Sequence, residues 1–196
     1  MTEIISIFVS AVLIENIILS SFLGICPFLG VSKKTSNAIG MGAALTFVVL
    51  MSSILSYVIN RFLLVPFGLE YLQLVVFILV IATFVQLVEF VTKKYMPALY
   101  KALGVYLPLI TTNCVVLNVA LTVTGMTNGV ADYSFGTMLV YALSIPIGYV
   151  FVIVLFSFIR NRLDSNGVPA PFQGNAIALI TAALMALAFA GFTGIV

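Results

Sequence analysis

Six apolar segments, each long enough to cross a lipid bilayer, constrain this chain more than any other feature of its sequence. A membrane-spanning helix needs about 20 apolar residues, and only short connections separate the segments. They lie at approximately 4–30, 38–60, 70–92, 98–124, 134–158 and 172–195. The sequence therefore predicts an all-α integral membrane protein with six transmembrane helices, forming one transmembrane domain over residues 1–196.

The composition agrees with a membrane protein and excludes other classes. Hydrophobic residues make up 63% of the 196 residues and charged residues only 7%, whereas a soluble domain carries about 25% charged residues. The net charge is +2 and the basic residues form no patch, so we expect no nucleic acid partner. No basic region precedes the first apolar segment, which predicts a retained helix rather than a signal peptide.

The distribution of lysine and arginine predicts the orientation of the segments. Connections on the cytoplasmic side of a membrane carry an excess of these residues. Only Arg61 falls on one side of the predicted topology. The other seven basic residues fall on the opposite side: Lys33, Lys34, Lys93, Lys94, Lys101, Arg160 and Arg162. We therefore expect that side to be cytoplasmic and both termini to face outside.

Two of the segments combine a cysteine with helix-breaking residues. The first contains Leu23-Gly-Ile-Cys-Pro-Phe-Leu-Gly30 and the fourth contains Leu107-Pro-Leu-Ile-Thr-Thr-Asn-Cys114. Irregular backbone is tolerated in lipid only where it is buried in protein or lines a cavity. We expect both helices to be broken, at Gly24, Pro27 and Gly30 in the first and at Gly104 and Pro108 in the fourth.

The same layout predicts an internal repeat. Each broken segment opens a half with three spans, approximately 1–97 and 98–196. Because three is odd, the second half enters the membrane from the opposite side. The halves are therefore predicted to be inverted repeats, an arrangement that places binding sites near the middle of the membrane.

Cys26 and Cys114 are the only cysteines in the chain, and three interpretations of them remain open. They could be small buried hydrophobic residues, a disulfide if their Cα atoms lie within about 7 Å, or metal ligands. The chain has no histidine, so a transition-metal site would depend on thiolate. An iron–sulfur cluster needs four thiolates, so this chain could supply only half of such a site.

Polar residues in the apolar segments are further candidates. Thr111, Thr112 and Asn113 precede Cys114, and they either satisfy backbone groups freed by the break or donate hydrogen bonds to a thiolate or cluster. Glu15 lies next to Asn16 in the middle of the first segment. A carboxylate there indicates an ion or proton path, or a protonated side chain bonded to a neighbouring helix.

Small residues in two segments predict close helix packing. In the last segment they recur every four residues, at Ala178, Ala182, Ala186, Ala190 and Gly194. Such a row lets helix backbones approach closely, either inside the chain or against a partner. We interpret Ser52 and Ser56 of the second segment in the same way.

Three motifs resemble the RnfA/NqrE family, and the similarity covers essentially the whole chain. They are Cys26-Pro-Phe-Leu-Gly-Val-Ser-Lys-Lys34, Leu107-Pro-Leu-Ile-Thr-Thr-Asn-Cys114 and Val168-Pro-Ala-Pro-Phe-Gln-Gly-Asn-Ala-Ile-Ala-Leu-Ile-Thr181. The first and third look more like the A-type members of the Rnf branch. The E-type members, from the sodium-pumping NADH:quinone reductases, are the near alternative.

The resemblance implies a component, inactive alone, of a redox-driven translocase in the prokaryotic cytoplasmic membrane. Such a complex passes electrons between ferredoxin and NAD and couples this transfer to Na⁺ or H⁺ transport. The resemblance further implies that Cys26 and Cys114 hold one [2Fe–2S] cluster together with a homologous, E-type subunit of opposite orientation. Flavins, NAD and other iron–sulfur clusters would belong to the other subunits.

Two functions of other classes compete with this interpretation. A secondary transporter or channel could use inverted repeats and broken helices to hold a solute, with structural cysteines. A small thiol or disulfide redox protein could use the two cysteines alone. The transporter should keep its function when both cysteines are replaced, and the disulfide protein should contain an internal crosslink.

Overall fold

The computed structural model describes residues 8–14, 16–32, 35–68, 70–95, 113–125, 135–165, 169 and 174–191, and the regular structure in these ranges is helical. In these ranges the seven α-helices are α1 (Ile25–Val31), α2 (Thr35–Ile59), α3 (Val65–Phe67), α4 (Gln73–Tyr95), α5 (Cys114–Val123), α6 (Phe135–Ser165) and α7 (Asn175–Ala190). Two π-helical turns, Ser10–Ile14 and Asn60–Leu64, and one 3₁₀ turn, Glu70–Leu72, complete the regular structure described.

Three of the helical stretches are long and apolar enough to cross a membrane. They are Thr35–Phe67, Gln73–Val91 and Phe135–Leu163, and they coincide with the predicted second, third and fifth segments. The shorter apolar helices α5 and α7 lie in the fourth and sixth segments. The structure thus agrees with an all-α membrane protein, while the six-span inverted repeat stays a prediction.

The first segment is broken, but not where every expected residue lies. Residues 16–24 form turns, in which Phe22 has a φ of 54° and Gly24 a φ of 80°. Pro27 lies in the first turn of α1, where its missing N–H is not needed. The expectation that Pro27 and Gly30 interrupt the segment is therefore wrong, because both lie inside α1. The predicted break in the fourth segment, at Gly104 and Pro108, lies outside the described residues.

The long helical stretch Thr35–Phe67 contains one distortion with a local cause. Pro66 has no N–H for the Phe62 carbonyl, and its ring would clash with that carbonyl in a regular α-helix. The π-helical turn Asn60–Leu64 lies at this place. The stretch then ends at Gly68, whose left-handed φ of 64° allows its N–H to reach the Val65 carbonyl at 3.3 Å.

Helix α6 is the longest of the described helices, with 31 residues, and continues through Pro146. It also extends beyond residue 158, the predicted end of the fifth segment, to Ser165. Arg160 is consequently a residue of α6, and its side chain is buried. The expectation that Arg160 lies in the fifth connection is wrong, because α6 continues past this residue to Ser165.

The chain divides into two compact units, and the boundaries fall inside α2 and α6. One unit comprises Met1–Ala43 and Ser144–Val196, and the other comprises Ala44–Leu143. These are not the sequence halves 1–97 and 98–196, whose symmetry stays a prediction. In the first unit α7 packs against Ser10–Ile14.

The small-residue row of the last segment is partly used for packing inside the chain. Ala178 and Ala182 are buried on α7 within the first unit, while Ala186 is half-buried and Ala190 is exposed. Gly194 lies outside the described residues. Intramolecular helix packing therefore accounts for the first part of the row.

Candidate functional site

Cys26 lies in the first turn of α1, directly after a series of turns. Gly24 precedes this helix with a left-handed φ of 80°, a conformation that glycine adopts at no steric cost. The Phe28 N–H then donates to the Gly24 carbonyl at 3.4 Å. The Cys26 side chain is exposed, while its neighbours Pro27 and Phe28 are buried. The backbone therefore presents this thiol at the surface of the chain on an anchored turn.

Asn16 fixes the start of the broken stretch. Its Nδ2 donates to the carbonyl oxygens of Val12 and Gly148, each at 3.0 Å. Its Oδ1 accepts a hydrogen bond from the Ile18 N–H at 3.2 Å. These bonds satisfy the polar atoms of the buried Asn16 side chain. They also join the π-helical turn Ser10–Ile14 to α6, so Asn16 has a structural role.

One face of α6 holds α1 at both ends and in its middle. Tyr149 donates from its hydroxyl to the Gly24 carbonyl at 3.4 Å. The ring centroids of Phe156 and Phe28 lie 4.2 Å apart, with their planes tilted by 31°. The contacting residues of α6 recur at seven and then four positions, a spacing that places them on one side of a helix.

Arg160 provides the third attachment. It is only 3% exposed. Its Nη1 donates to the carbonyl oxygen of Leu29 and to the hydroxyl of Ser32, both at 2.8 Å. The last carbonyls of a helix have no partner within the helix, and a cation stabilises that end. Arg160 therefore caps α1 from a neighbouring helix.

A second contact joins α6 to the helix that follows α1. The hydroxyls of Thr35 and Ser157 lie 3.1 Å apart, and Thr35 is the first residue of α2. Farther along α2, a Cβ at Gly42 would lie 2.5 Å from Val150 Cγ2. A close approach of α2 to α6 thus requires glycine there.

Cys114 lies at the start of α5, in the second unit. Asn113 precedes it with extended backbone and accepts the Val115 N–H on its side chain at 3.0 Å, which is an N-cap. Its Nδ2 is buried and has no hydrogen-bond partner among the described residues. A buried donor of this kind is costly unless something accepts from it. The Cys114 thiol beside it is half-buried.

The far end of α5 is tied to α4. Gln73 donates from Nε2 to the Thr124 hydroxyl at 2.6 Å, and Thr124 donates to the Ala120 carbonyl at 3.0 Å. Helix α5 is therefore held at its C-terminal end by α4 and capped at its N-terminal end by Asn113. Both constraints act on the helix that begins with Cys114.

The family of the chain follows from comparison with known proteins. A family model described as "Rnf-Nqr subunit, membrane protein" matches residues 4–196. The chain belongs to this Rnf-Nqr family. It is 55% identical over 196 residues to the A subunit of the ion-translocating oxidoreductase complex from Serratia proteamaculans, covering 100% of this chain and 99% of that protein. The A subunits of the same complex from Yersinia enterocolitica and Yersinia pseudotuberculosis are 53% identical, with the same coverage.

The structure of this Rnf-Nqr family member describes some of the site residues predicted from sequence and not others. Cys26 belongs to the first unit, and Asn113 and Cys114 are neighbours in the second. Both cysteines are thiols rather than parts of a disulfide. Thr111, Thr112 and Glu15 lie outside the described residues, so the roles predicted for them stay predictions.

Sequence reasoning does not identify the residues of α6 that hold α1 in this Rnf-Nqr family member: Tyr149, Phe156 and Arg160. It places Arg160 in a connection, because a basic residue near the end of an apolar segment usually faces water. The available signal is its spacing of eleven positions from Tyr149, which places both on one helical face. Their partners lie more than 120 positions away along the chain, so no local pattern identifies them.

Proposed function

We propose that this chain is the A subunit of an Rnf-type ion-translocating oxidoreductase complex in a bacterial inner membrane. The full-length identity of 55% and 53% to relatives that bear this name carries the proposal. The same names favour the Rnf branch over the E-type members from the sodium-pumping NADH:quinone reductases. Within the complex, electrons pass between ferredoxin and NAD, coupled to the transport of Na⁺ or H⁺. Flavins, NAD and other iron–sulfur clusters belong to other subunits.

We assign Cys26 and Cys114 as two ligands of a [2Fe–2S] cluster, which supplies a one-electron carrier when bound. Their residue type fits, since such clusters are held by thiolates. The buried Asn113 Nδ2, which lacks an acceptor among the described residues, also fits. An amide donor beside Cys114 is suited to a hydrogen bond with an anionic sulfur. Thr111 and Thr112 are proposed to contribute in the same way.

The residues around the thiols have a positioning role in this proposal. Tyr149, Phe156 and Arg160 fix α1, and with it the place of the Cys26 sulfur. Asn113 fixes the first turn of α5 through its bond to Val115. Each thiol therefore lies on a turn that is held within its own unit, which suits a ligand of an electron carrier.

A homologous E-type subunit of opposite orientation would supply the other two thiolates. For this chain we propose that both termini face the outside of the inner membrane, with Lys93 and Lys94 on the cytoplasmic side. Fusing alkaline phosphatase or a fluorescent protein to the C-terminus tests the orientation. Active phosphatase and a dark fluorescent protein are expected, and the reverse pattern would refute it.

Glu15 and Asn16 remain the proposed participants in ion movement. Asn16 Nδ2 already donates to the carbonyl oxygens of Val12 and Gly148. In this proposal Asn16 therefore shapes the path and is not an ion ligand. Replacing Glu15 with glutamine removes the charge but keeps the shape. If Glu15→Gln leaves both electron transfer and ion uptake at wild-type rates, Glu15 has no part in the path.

The proposed function is tested in inverted membrane vesicles that contain the whole complex. Electron transfer from reduced ferredoxin to NAD and ion uptake are measured for wild type, Cys26→Ser and Cys114→Ser. Both activities should be lost together in each variant, while Ser36→Ala, an exposed change in α2, retains them. Full ion uptake in both cysteine variants would instead support a secondary transporter or channel with structural cysteines.

A further inference from the structure

Three serine hydroxyls are buried near the middle of the helical stretch Thr35–Phe67. The exposed fractions of Ser52, Ser53 and Ser56 are 1%, 1% and 0%. None of the three Oγ atoms has a hydrogen-bond partner among the described residues. The interior of a membrane offers no solvent to satisfy them, so interpreting these serines as packing residues does not account for their hydroxyls.

Several other hydroxyls in the helices of this protein are satisfied within their own helix. Thr83 donates to the Leu79 carbonyl at 2.8 Å, Thr122 to the Asn118 carbonyl at 2.9 Å and Thr181 to the Ile177 carbonyl at 2.8 Å. The same bond to the carbonyl four residues earlier is open to a helical serine. Because Ser52, Ser53 and Ser56 do not make it, their oxygens are available to something other than their own helix.

The three serines form one polar face together with an amide. Ser52, Ser56 and Asn60 follow one another at four-residue intervals, and Ser53 is three positions from Ser56, so all four lie on neighbouring rows of the helix surface. The row from Ser52 to Asn60 is about 12 Å long at the α-helical rise. Asn60 is buried as well, at 8% exposure. All four belong to the second unit.

We propose that Ser52, Ser53 and Ser56 supply oxygen ligands to a partly dehydrated sodium ion on its way through this protein. The inference rests on the proposed function, in which the complex moves Na⁺ or H⁺, and it selects Na⁺. Hydroxyl oxygens carry lone pairs that suit a hard cation. None of these side chains ionises near neutral pH, so the cluster contains no acid or base that would store a transported proton. Asn60 offers a further oxygen one turn away.

The test is equilibrium binding of ²²Na⁺ to the purified, intact complex. The variants are Ser56→Ala and the double variant Ser52→Ala/Ser56→Ala. The control is Thr181→Val, which removes a hydroxyl that is already bonded within its own helix. We expect the double variant to bind Na⁺ about tenfold more weakly than wild type, and the control to bind it equally well.

A second pair of variants separates oxygen chemistry from packing. Ser52→Thr/Ser56→Thr keeps both oxygens and is expected to retain Na⁺ binding. Alanine at these positions breaks no hydrogen bond within the described protein, so the alanine variants should assemble, as size-exclusion chromatography of the complex verifies. Sodium should also raise the thermal midpoint of the wild-type complex, and choline should not.

Three results would overturn the assignment: no Na⁺ binding by wild type, unchanged binding in the alanine variants, or equal loss in the alanine and threonine variants. Failure of the proposed function is recognised separately, from electron transfer between reduced ferredoxin and NAD in the wild-type complex. A complex that transfers electrons while its alanine variants bind Na⁺ normally would refute only the serine site. A complex that binds Na⁺ through these serines without that electron transfer would refute only the redox assignment.

Discussion

The Nη1 atom of Arg160 lies 2.8 Å from the carbonyl oxygen of Leu29, so a buried cation of α6 caps the last turn of the helix that carries Cys26. Hydrogen bonds of charged groups are stronger than those between neutral groups. A buried guanidinium is also costly to leave without its acceptors. The position of Cys26 therefore depends on a residue far away in the sequence.

Replacing Arg160 with glutamine is expected to loosen α1. The charged bonds to Leu29 and Ser32 are lost, which lowers the free energy of local opening by about 2 kcal/mol. Hydrogen exchange of the amides of residues 25–32 in the assembled complex measures the change. Arg162→Gln is the matched control, since Arg162 is an exposed residue of the same helix. Equal exchange in the two variants would show that Arg160 does not hold α1.

Gly148→Ala is expected to push Val12 and Asn16 away from α6. A Cβ at this position would lie 3.1 Å from both Asn16 Nδ2 and the Val12 carbonyl oxygen. Overpacking of this kind costs about 1–3 kcal/mol, which a fall in the thermal unfolding midpoint of the complex detects. Gly136→Ala in the same helix meets nothing within 4 Å and should leave the midpoint unchanged or slightly raised. Equal midpoints for the two variants would argue against close packing at Gly148.

Asn113 is expected to have two separable roles. Asn113→Ser keeps a capping oxygen but lacks the amide donor, whereas Asn113→Ala lacks both. Only the alanine variant should lose helix stability, by about 1 kcal/mol.

Both Asn113 variants should lower the midpoint potential of the proposed cluster, by about 60 mV if the lost hydrogen bond changes the one-electron equilibrium tenfold. A potentiometric titration followed by EPR measures this shift, and thermal unfolding measures the stability. If the midpoint potential of Asn113→Ser equals that of wild type, Asn113 Nδ2 does not donate a hydrogen bond to the cluster.

The sequence predicts the long helices well, because their cause is local. Apolar runs long enough to span a bilayer form helices in this protein, as α4 shows. Pro27 illustrates where local reasoning fails. The same residue that interrupts a helix in its interior is tolerated in its first turn, and only the path of the preceding chain decides which case applies.

The attachments of α1 could not be predicted for a different reason. Arg160 and its acceptor Leu29 are separated by 131 positions in the chain, and no periodic pattern links them. The hydroxyls of Ser52 and Ser56 lack a hydrogen-bond partner among the described residues. The sequence does not show this, because serine in a membrane helix indicates ordinary close packing. By contrast, Cys26 and Cys114 stand out from sequence because cysteine is so rare in this chain.

Low-temperature EPR with iron quantitation shows whether Cys26 and Cys114 hold one cluster, as we propose. The anaerobically purified complex is compared for wild type, Cys26→Ser, Cys114→Ser and the control Ser36→Ala, after assembly of each has been verified. The same [2Fe–2S] signal should vanish in both cysteine variants, with a loss of about two iron atoms per complex, and persist in the control. Unchanged iron and an unchanged signal in both cysteine variants would show that neither cysteine is a ligand of the cluster.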